Sequence, residues 1–244
     1  MNVAGVVAAL AAEARALGPP PTGGKEYSVL QDGTLVAVSG IGSAAAQSAA
    51  HRLIAAGATS LVSWGMAGGL DPDLEAGAVC LPRVVLAADG TRFDTARPWR
   101  ESLTSTLAAR RKVESGNLFT AAQPVDTVDA KEKLYRKTGA SAVDMESSAV
   151  AQVAQAHGLP FIAVRVIVDT ARDQLPRAVA RASQAGRVRI GSLLLGLIRS
   201  PTQLGALLRL ARRYRVATRS LRAVAILGKL TPPLPAALSR LGGA

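Results

Sequence analysis

The chain is short of several residue types, and each shortage excludes something. Its 244 residues hold one cysteine, Cys80, and two histidines, His51 and His157. A lone cysteine cannot close an intrachain disulfide or build a thiolate metal cluster, and two histidines do not make up a structural zinc site. We therefore expect no metal and no cofactor, and a reducing, cytoplasmic compartment. Aromatic residues are only 3% of the chain, so stacking platforms for nucleic-acid bases are scarce and no nucleic-acid partner is expected. No run approaches the roughly 18 uninterrupted apolar residues of a membrane-spanning helix. The N-terminal MNVAGVVAALAAEAR lacks a basic leader region and its apolar run ends at Glu13, which reads as a first strand entering a helix.

Acidic residues are absent from the last part of the chain. From Gln174 onward there are 13 Lys or Arg residues and no Asp or Glu, so the whole of the net charge of +12 sits there. The residues before it are near neutral. The length fits one domain with an appendage. We divide it into a catalytic domain over 1–200 and a basic, amphipathic helical extension over 201–244. Within the extension Leu204, Leu207, Ala211, Tyr214, Leu221, Val224 and Ala225 share one side at helical spacing, opposite Arg209, Arg212, Arg213, Arg219 and Arg222.

What is present is an alternation of strands and helices. Val3–Ala9 reads as a strand, Tyr27–Leu30 and Thr34–Ser39 as a hairpin about Asp32-Gly33, and Ser43–Ala56 as a helix stopped by Gly57. Strands follow at Thr59–Trp64 and Gly77–Ala87, then helices near Glu101–Lys112 and Asp129–Lys137 around a short strand at Leu118–Thr120. Such alternation implies an α/β fold, three layers deep, with a mixed, mostly parallel central sheet.

Residues 140–172 organise the rest. Asp144-Met145-Glu146 ends one strand, a small-residue helix runs to His157 and is stopped by Gly158, and the apolar run Phe161–Val168, broken by Arg165, ends at Asp169. Ligands of open α/β sheets bind at the carboxyl ends of strands. Arg165 inside an apolar strand needs a buried carboxylate, for which we take Glu146. Taken alone, Asp169 suits a helix N-cap as well as a catalytic acid, Glu146 an exposed first-turn residue, and Glu13 a surface position.

Val143-Asp144-Met145-Glu146, Val164-Arg165-Val166-Ile167-Val168-Asp169, Gly40-Ile41-Gly42-Ser43 and Gly65-Met66-Ala67-Gly68-Gly69-Leu70 occur in that order. The set resembles the purine nucleoside phosphorylase and methylthioadenosine/adenosylhomocysteine nucleosidase superfamily, over roughly the first 172 residues. That resemblance implies a nucleoside phosphorylase-like fold, commonly dimeric. It makes Asp169 the acid that protonates the purine, Glu146 the ligand of the ribose hydroxyls with Met145 beneath the sugar, and Glu13 the activator of water. Gly42, Gly65, Gly68 and Gly69 would let backbone approach the nucleoside, with Met66 and Arg165 beside them. Met66 stands where the family has a serine, and no aromatic occupies the base-stacking place near Pro124-Val125-Asp126. Glu13 and Met66 favour hydrolysis over phosphorolysis.

The basic extension resembles that of the hopanoid-associated branch, whose proposed reaction removes adenine from adenosylhopane. It suits an anionic membrane surface, nucleic acid, or packing against its own domain. The alternatives are a phosphorylase, a nucleosidase for soluble nucleosides, and a binding module with an inactive site.

Overall fold

A computed structural model describes residues 2–175 and 204–233. In chain order the elements are β1 (Ala4–Ala8), α1 (Ala11–Ala14), β2 (Ser28–Val29), β3 (Leu35–Val38), α2 (Ser43–Ala55), β4 (Ser60–Gly69), β5 (Val79–Cys80) and β6 (Val84–Leu86). There follow β7 (Arg92–Asp94), α3 (Arg97–Ala108), β8 (Val113–Glu114), β9 (Asn117–Thr120), α4 (Val128–Thr138), β10 (Ala140–Asp144), α5 (Ser147–Ala156), β11 (Phe161–Asp169) and α6 (Leu204–Leu227). Of the catalytic domain drawn over 1–200, residues 176–200 lie outside the described residues.

All the strands join one mixed sheet ordered β2-β3-β1-β4-β10-β9-β6-β7, with β11 on β4 and on β5, and β5 on β8. The sheet opens beside β4. Parallel pairing of β1 with β4 ends at Ala8 opposite Trp64, and antiparallel pairing of β10 begins only at Val143 opposite Gly68. Residues 65–67 therefore lack a strand neighbour on that side. On the other side β11 follows β4 from Phe161 to Asp169. A strand-order discontinuity at carboxyl ends of strands is where a crevice forms.

The two-residue side-chain period divides the buried residues between two faces. Val7, Phe161, Ala163 and Ile167 meet α2 and α5, which pack through Ala46, Ala49, Ala50, Ala149, Ala151 and Ala154. Val6, Ala8, Ile162, Val164 and Val166 meet α3 and α6 through Trp99, Leu103, Leu107, Ala217, Leu221 and Val224. These are the three expected layers. Small side chains let α2 and α5 approach closely, and burial of Leu221 or Val224 stabilises the seat of α6 by about 1.5–3 kcal/mol each.

Three expectations are corrected. The run from Gly77 to Ala87 is two strands, because the chain turns at Pro82, which has no N–H to give a ladder; its carbonyl accepts from Thr95 Oγ1 at 2.7 Å instead. The strand at Thr59–Trp64 continues through the glycines to Gly69. The buried side of α6 is Ala217, Ser220, Leu221 and Val224, while Ala211 and Tyr214 lie at the surface. Its apolar stripe thus rests on the protein's own sheet, and its outward side carries Arg212, Arg215, Arg219 and Arg222.

Candidate active site

Glu13 enters the opening beside β4. It is the third residue of α1, a single turn that begins as soon as β1 ends, so its carboxylate folds back toward the sheet. Oε2 accepts from Leu10 N at 2.9 Å and Oε1 from Met66 N at 2.8 Å, the amide that strand pairing leaves free. The indole of Trp64 donates to the Glu13 carbonyl at 3.1 Å, which fixes the turn from below. Gly65 is required here, since a Cβ would stand 2.6 Å from Glu13 Oε1. Burial pushes the Glu13 carboxyl up, while the charge of Arg165 and the amides of Met66 and Leu10 pull it back in part. Tyr214 of α6 lies within electrostatic reach, its phenol pushed up by burial and then by Glu13.

Glu146 lies at the junction of β10 and α5. Its Oε1 accepts from Gly42 N at 2.9 Å and Oε2 from Met145 N at 3.3 Å. Gly42 has φ +100°, a conformation that favours glycine, and it turns its amide toward the carboxylate. Ser43 Oγ donates to the Met145 carbonyl at 3.3 Å, so the two loops are stitched together. Burial, then the neighbouring Asp144 charge, raise the Glu146 carboxyl to about 7, and Glu13 adds to the rise.

Arg165 does not pair with Glu146. Its Nε and Nη2 both donate to Asp144 Oδ2, at 2.9 and 2.6 Å, and Nη2 also reaches Ser63 Oγ at 2.7 Å and Ser147 Oγ at 3.0 Å. Asp144 is fully engaged: Oδ1 accepts from Thr120 Oγ1 at 2.8 Å, and Oδ2 also accepts Ser147 N, which caps α5. Burial works against the guanidinium, and Asp144, Glu146 and Glu13 outweigh it. Arg165 is thus a buried floor beneath the carboxylates, and Asp144 is its counter-ion.

Asp169 ends β11 opposite Gly68. A Cβ at Gly68 would lie 3.3 Å from Asp169 Oδ2, and one at Gly69 3.3 Å from the Asp169 carbonyl, so the two glycines make room for the acid. Lys131 Nζ of α4 donates to Asp169 Oδ2. Burial pushes this carboxyl up, against Lys131 and Arg213, which pull it down. Lys131 was not foreseen among the site residues. No local signal marks it, because it lies between Asp129 and Glu132-Lys133, and Val128, one turn before it, is itself 38% exposed.

Glu13 with Gly65 and Met66, Glu146 with Gly42 and Met145, and Asp169 with Gly68 and Gly69 therefore occupy the carboxyl-end side of β1, β4, β10 and β11. Glu13 and Glu146 feel each other's charge across the opening, and Asp169 stands further along the same stretch of β4. Such an arrangement can hold hydroxyls, deprotonate a nucleophile and donate a proton. Among the described residues no group of three His, Cys, Asp or Glu is placed to hold a metal ion.

A sequence model of the phosphorylase superfamily matches residues 5–199. The chain belongs to that superfamily. No curated protein matches it in sequence. Among solved structures it is similar to the 5'-methylthioadenosine/S-adenosylhomocysteine nucleosidase of Helicobacter pylori, with a TM-score of 0.68 at 20% identity over 92% of this chain and 98% of that one. It is also similar to futalosine hydrolase of Helicobacter pylori (TM-score 0.67, 20% identity, 92% and 97% covered). The nucleosidase of Neisseria meningitidis, solved with methylthio-immucillin-A, gives 0.67 at 19% identity over 93% and 98%. At such identities the likeness is one of fold. This chain thus carries Glu13, Glu146 and Asp169 on the fold of those neighbours, within the matched residues 5–199.

Proposed function

We propose that the protein is a purine nucleosidase, an N-glycosyl hydrolase that releases adenine with water as nucleophile. The observation that carries this reading is the Glu13 carboxylate held at the opening beside β4 by Leu10 N and Met66 N. A base for water must be close to protonation at working pH, and burial moves Glu13 in that direction. The same carboxylate would repel phosphate. Arg165, the buried cation nearest by, is already committed to Asp144. In this reading Glu146 accepts the ribose hydroxyls, with Met145 under the sugar, and Asp169 protonates the leaving base. The fold neighbours named for 5'-methylthioadenosine and futalosine support the reaction class.

We further infer an adenosyl lipid as the substrate, of the adenosylhopane kind, met at an anionic membrane by a homodimer. This finer reading is supported by Arg212, Arg215, Arg219 and Arg222, which follow one another on the outward side of α6 in line with Ile226, itself 83% exposed. No helix of the described residues is long and apolar enough to cross a membrane, so contact would be peripheral.

The deciding experiment incubates the full chain with 5'-methylthioadenosine, adenosine and adenosylhopane in anionic vesicles, each with and without phosphate. Free adenine and the sugar product are then measured. Adenine release that needs no phosphate and disappears in Glu13→Gln is expected. Release that requires phosphate and yields a sugar phosphate overturns hydrolysis in favour of phosphorolysis. Binding without turnover of any substrate would mark an inactive binding module.

A further inference from the structure

Lys131 is 0% exposed, although its neighbours Lys133 and Lys137 on α4 face solvent. Burying an ammonium is costly unless its donors are satisfied. All three are: Nζ donates to Asp169 Oδ2, to the Thr170 carbonyl at 2.7 Å and to the Asp173 carbonyl at 3.0 Å. The turn it grips is closed on itself, because Thr170 N and Oγ1 donate to Asp173 Oδ2 at 2.8 and 2.7 Å. Arg213 of α6 pairs with that same Asp173 oxygen. A Cβ at Gly68 would lie 3.3 Å from Oδ2 and 3.6 Å from Oδ1, so the missing side chain leaves space against both carboxyl oxygens, and no other described residue donates to Oδ1.

We propose that Lys131 is a positioning residue for Asp169, clamping Oδ2 and the two carbonyls that follow so that Oδ1 is presented to the leaving base. The inference rests on the nucleosidase reading. In that reaction the C1'–N bond breaks with its electron pair going to the purine, which takes the proton from Asp169. Water adds hydroxide to C1' and gives its other proton to Glu13, and exchange with solvent resets both carboxyls. Lys131 keeps its charge throughout. It becomes the counter-ion of the carboxylate that proton donation creates, so its attraction grows as the transition state is reached. A lysine that only filled space would not have this property.

Among the described residues the charged groups acting on Asp169 are Lys131 from α4 and Arg213 from α6, with Asp173 paired to Arg213 in the same turn, and Gly68 of β4 lies against the carboxyl. Lys131→Met removes the nearest cation, so Asp169 should hold its proton to higher pH and be a poorer donor. The test is the pH profile of kcat/KM for adenine release from 5'-methylthioadenosine. Expected for Lys131→Met is a plateau lower by about 100-fold and an alkaline limb moved upward. Lys131→Arg, which keeps the charge, should leave the limb in place. A limb that does not move in Lys131→Met, or a plateau that does not fall, overturns the proposal. If Lys131→Met does not fold, carboxyl carbon NMR of the wild type and Lys131→Arg decides, with Asp169 assigned from its loss in Asp169→Asn. A carboxyl that titrates within the active range is expected, and one ionised at every pH where adenine is released overturns the proposal. Wild type that releases no adenine defeats the nucleosidase reading itself, which is a different result.

Discussion

Arg165 Nε and Nη2 converge on a single oxygen of Asp144, at 2.9 and 2.6 Å, two residues before the Glu146 that the sequence offers as its partner. The consequence is a division of labour among neighbouring acids. Asp144 neutralises the buried cation and accepts the first amide of α5, which leaves Glu146 bound, among the described residues, by the amides of Gly42 and Met145 and open to a ligand.

Breaking that pair from one side strands a charge. Arg165→Met should cost about 3–5 kcal/mol, because Asp144 is left buried and uncompensated. Adding Asp144→Asn to Arg165→Met should recover part of the loss, since both members of the pair are then neutral and Asn still accepts from Thr120 or Ser147. Urea unfolding of the two single variants and the double variant measures this. A double variant as unstable as the sum of the singles would contradict the coupling.

Gly65 tests whether Glu13 acts from its observed place. In Gly65→Ala the new methyl would sit 2.6 Å from Oε1, and the carboxylate must swing away from the Met66 amide. Adenine release should fall by about 100-fold, while binding of adenine, which depends on Asp169, changes little. Titration calorimetry with adenine beside a turnover assay separates the two. Equal loss of binding and turnover would mean that the substitution has disordered the whole opening.

Much of this site was legible in the chain because strand ends and glycines are local signals. Glu13 follows an apolar run, Asp169 ends one, and Glu146 stands between a strand and a small-residue helix. What was not legible is pairwise. Arg165 could be matched to any nearby acid until the register of β11 against β4 and the start of α5 brought Ser63, Ser147 and Asp144 around it. Lys131 lies in Asp129-Ala-Lys-Glu-Lys, which reads as a solvated face. Only the turn of α4 toward the end of β11 sets it apart from Lys133. Pro82 is a local signal of the opposite kind, and it is what splits the run from Gly77 to Ala87 into two strands.

Glu146 carries a pH dependence whose sign is fixed. A carboxyl raised on folding from 4.5 to about 7 stabilises the fold fully below the lower value, and that contribution is lost as pH rises through about 7. Glu146→Gln should therefore unfold at a higher temperature than wild type at pH 8 and show no such gain at pH 4. Nucleoside binding runs the other way, since the ionised carboxylate is the better acceptor of two hydroxyl protons. Wild-type affinity should tighten as pH passes 7, and the variant should show neither the tightening nor the tight binding. Thermal melts and calorimetry at the two pH values check both halves.

The outward side of α6 gives the last prediction. Arg212, Arg215, Arg219 and Arg222 recur every three or four residues, and Arg213, which falls off this line, is the one that pairs inward with Asp173. No acidic residue follows Asp173 in the chain, so the stripe has no carboxylate side chain of its own segment to neutralise it. Each guanidinium at an anionic bilayer contributes about 1 kcal/mol, so replacing the four by alanine should weaken vesicle binding on the order of a thousandfold at low salt. The effect should shrink as salt shortens the screening length. Because Ala217, Leu221 and Val224, not the arginines, seat the helix on the sheet, the substituted protein should keep its fold and its rate on 5'-methylthioadenosine. It should lose rate only on an adenosyl lipid presented in vesicles. Flotation with phosphatidylglycerol vesicles, beside the two rates, decides: equal loss on the soluble and the lipid substrate would place the arginines in the fold, and no loss on either would leave the stripe without a membrane role.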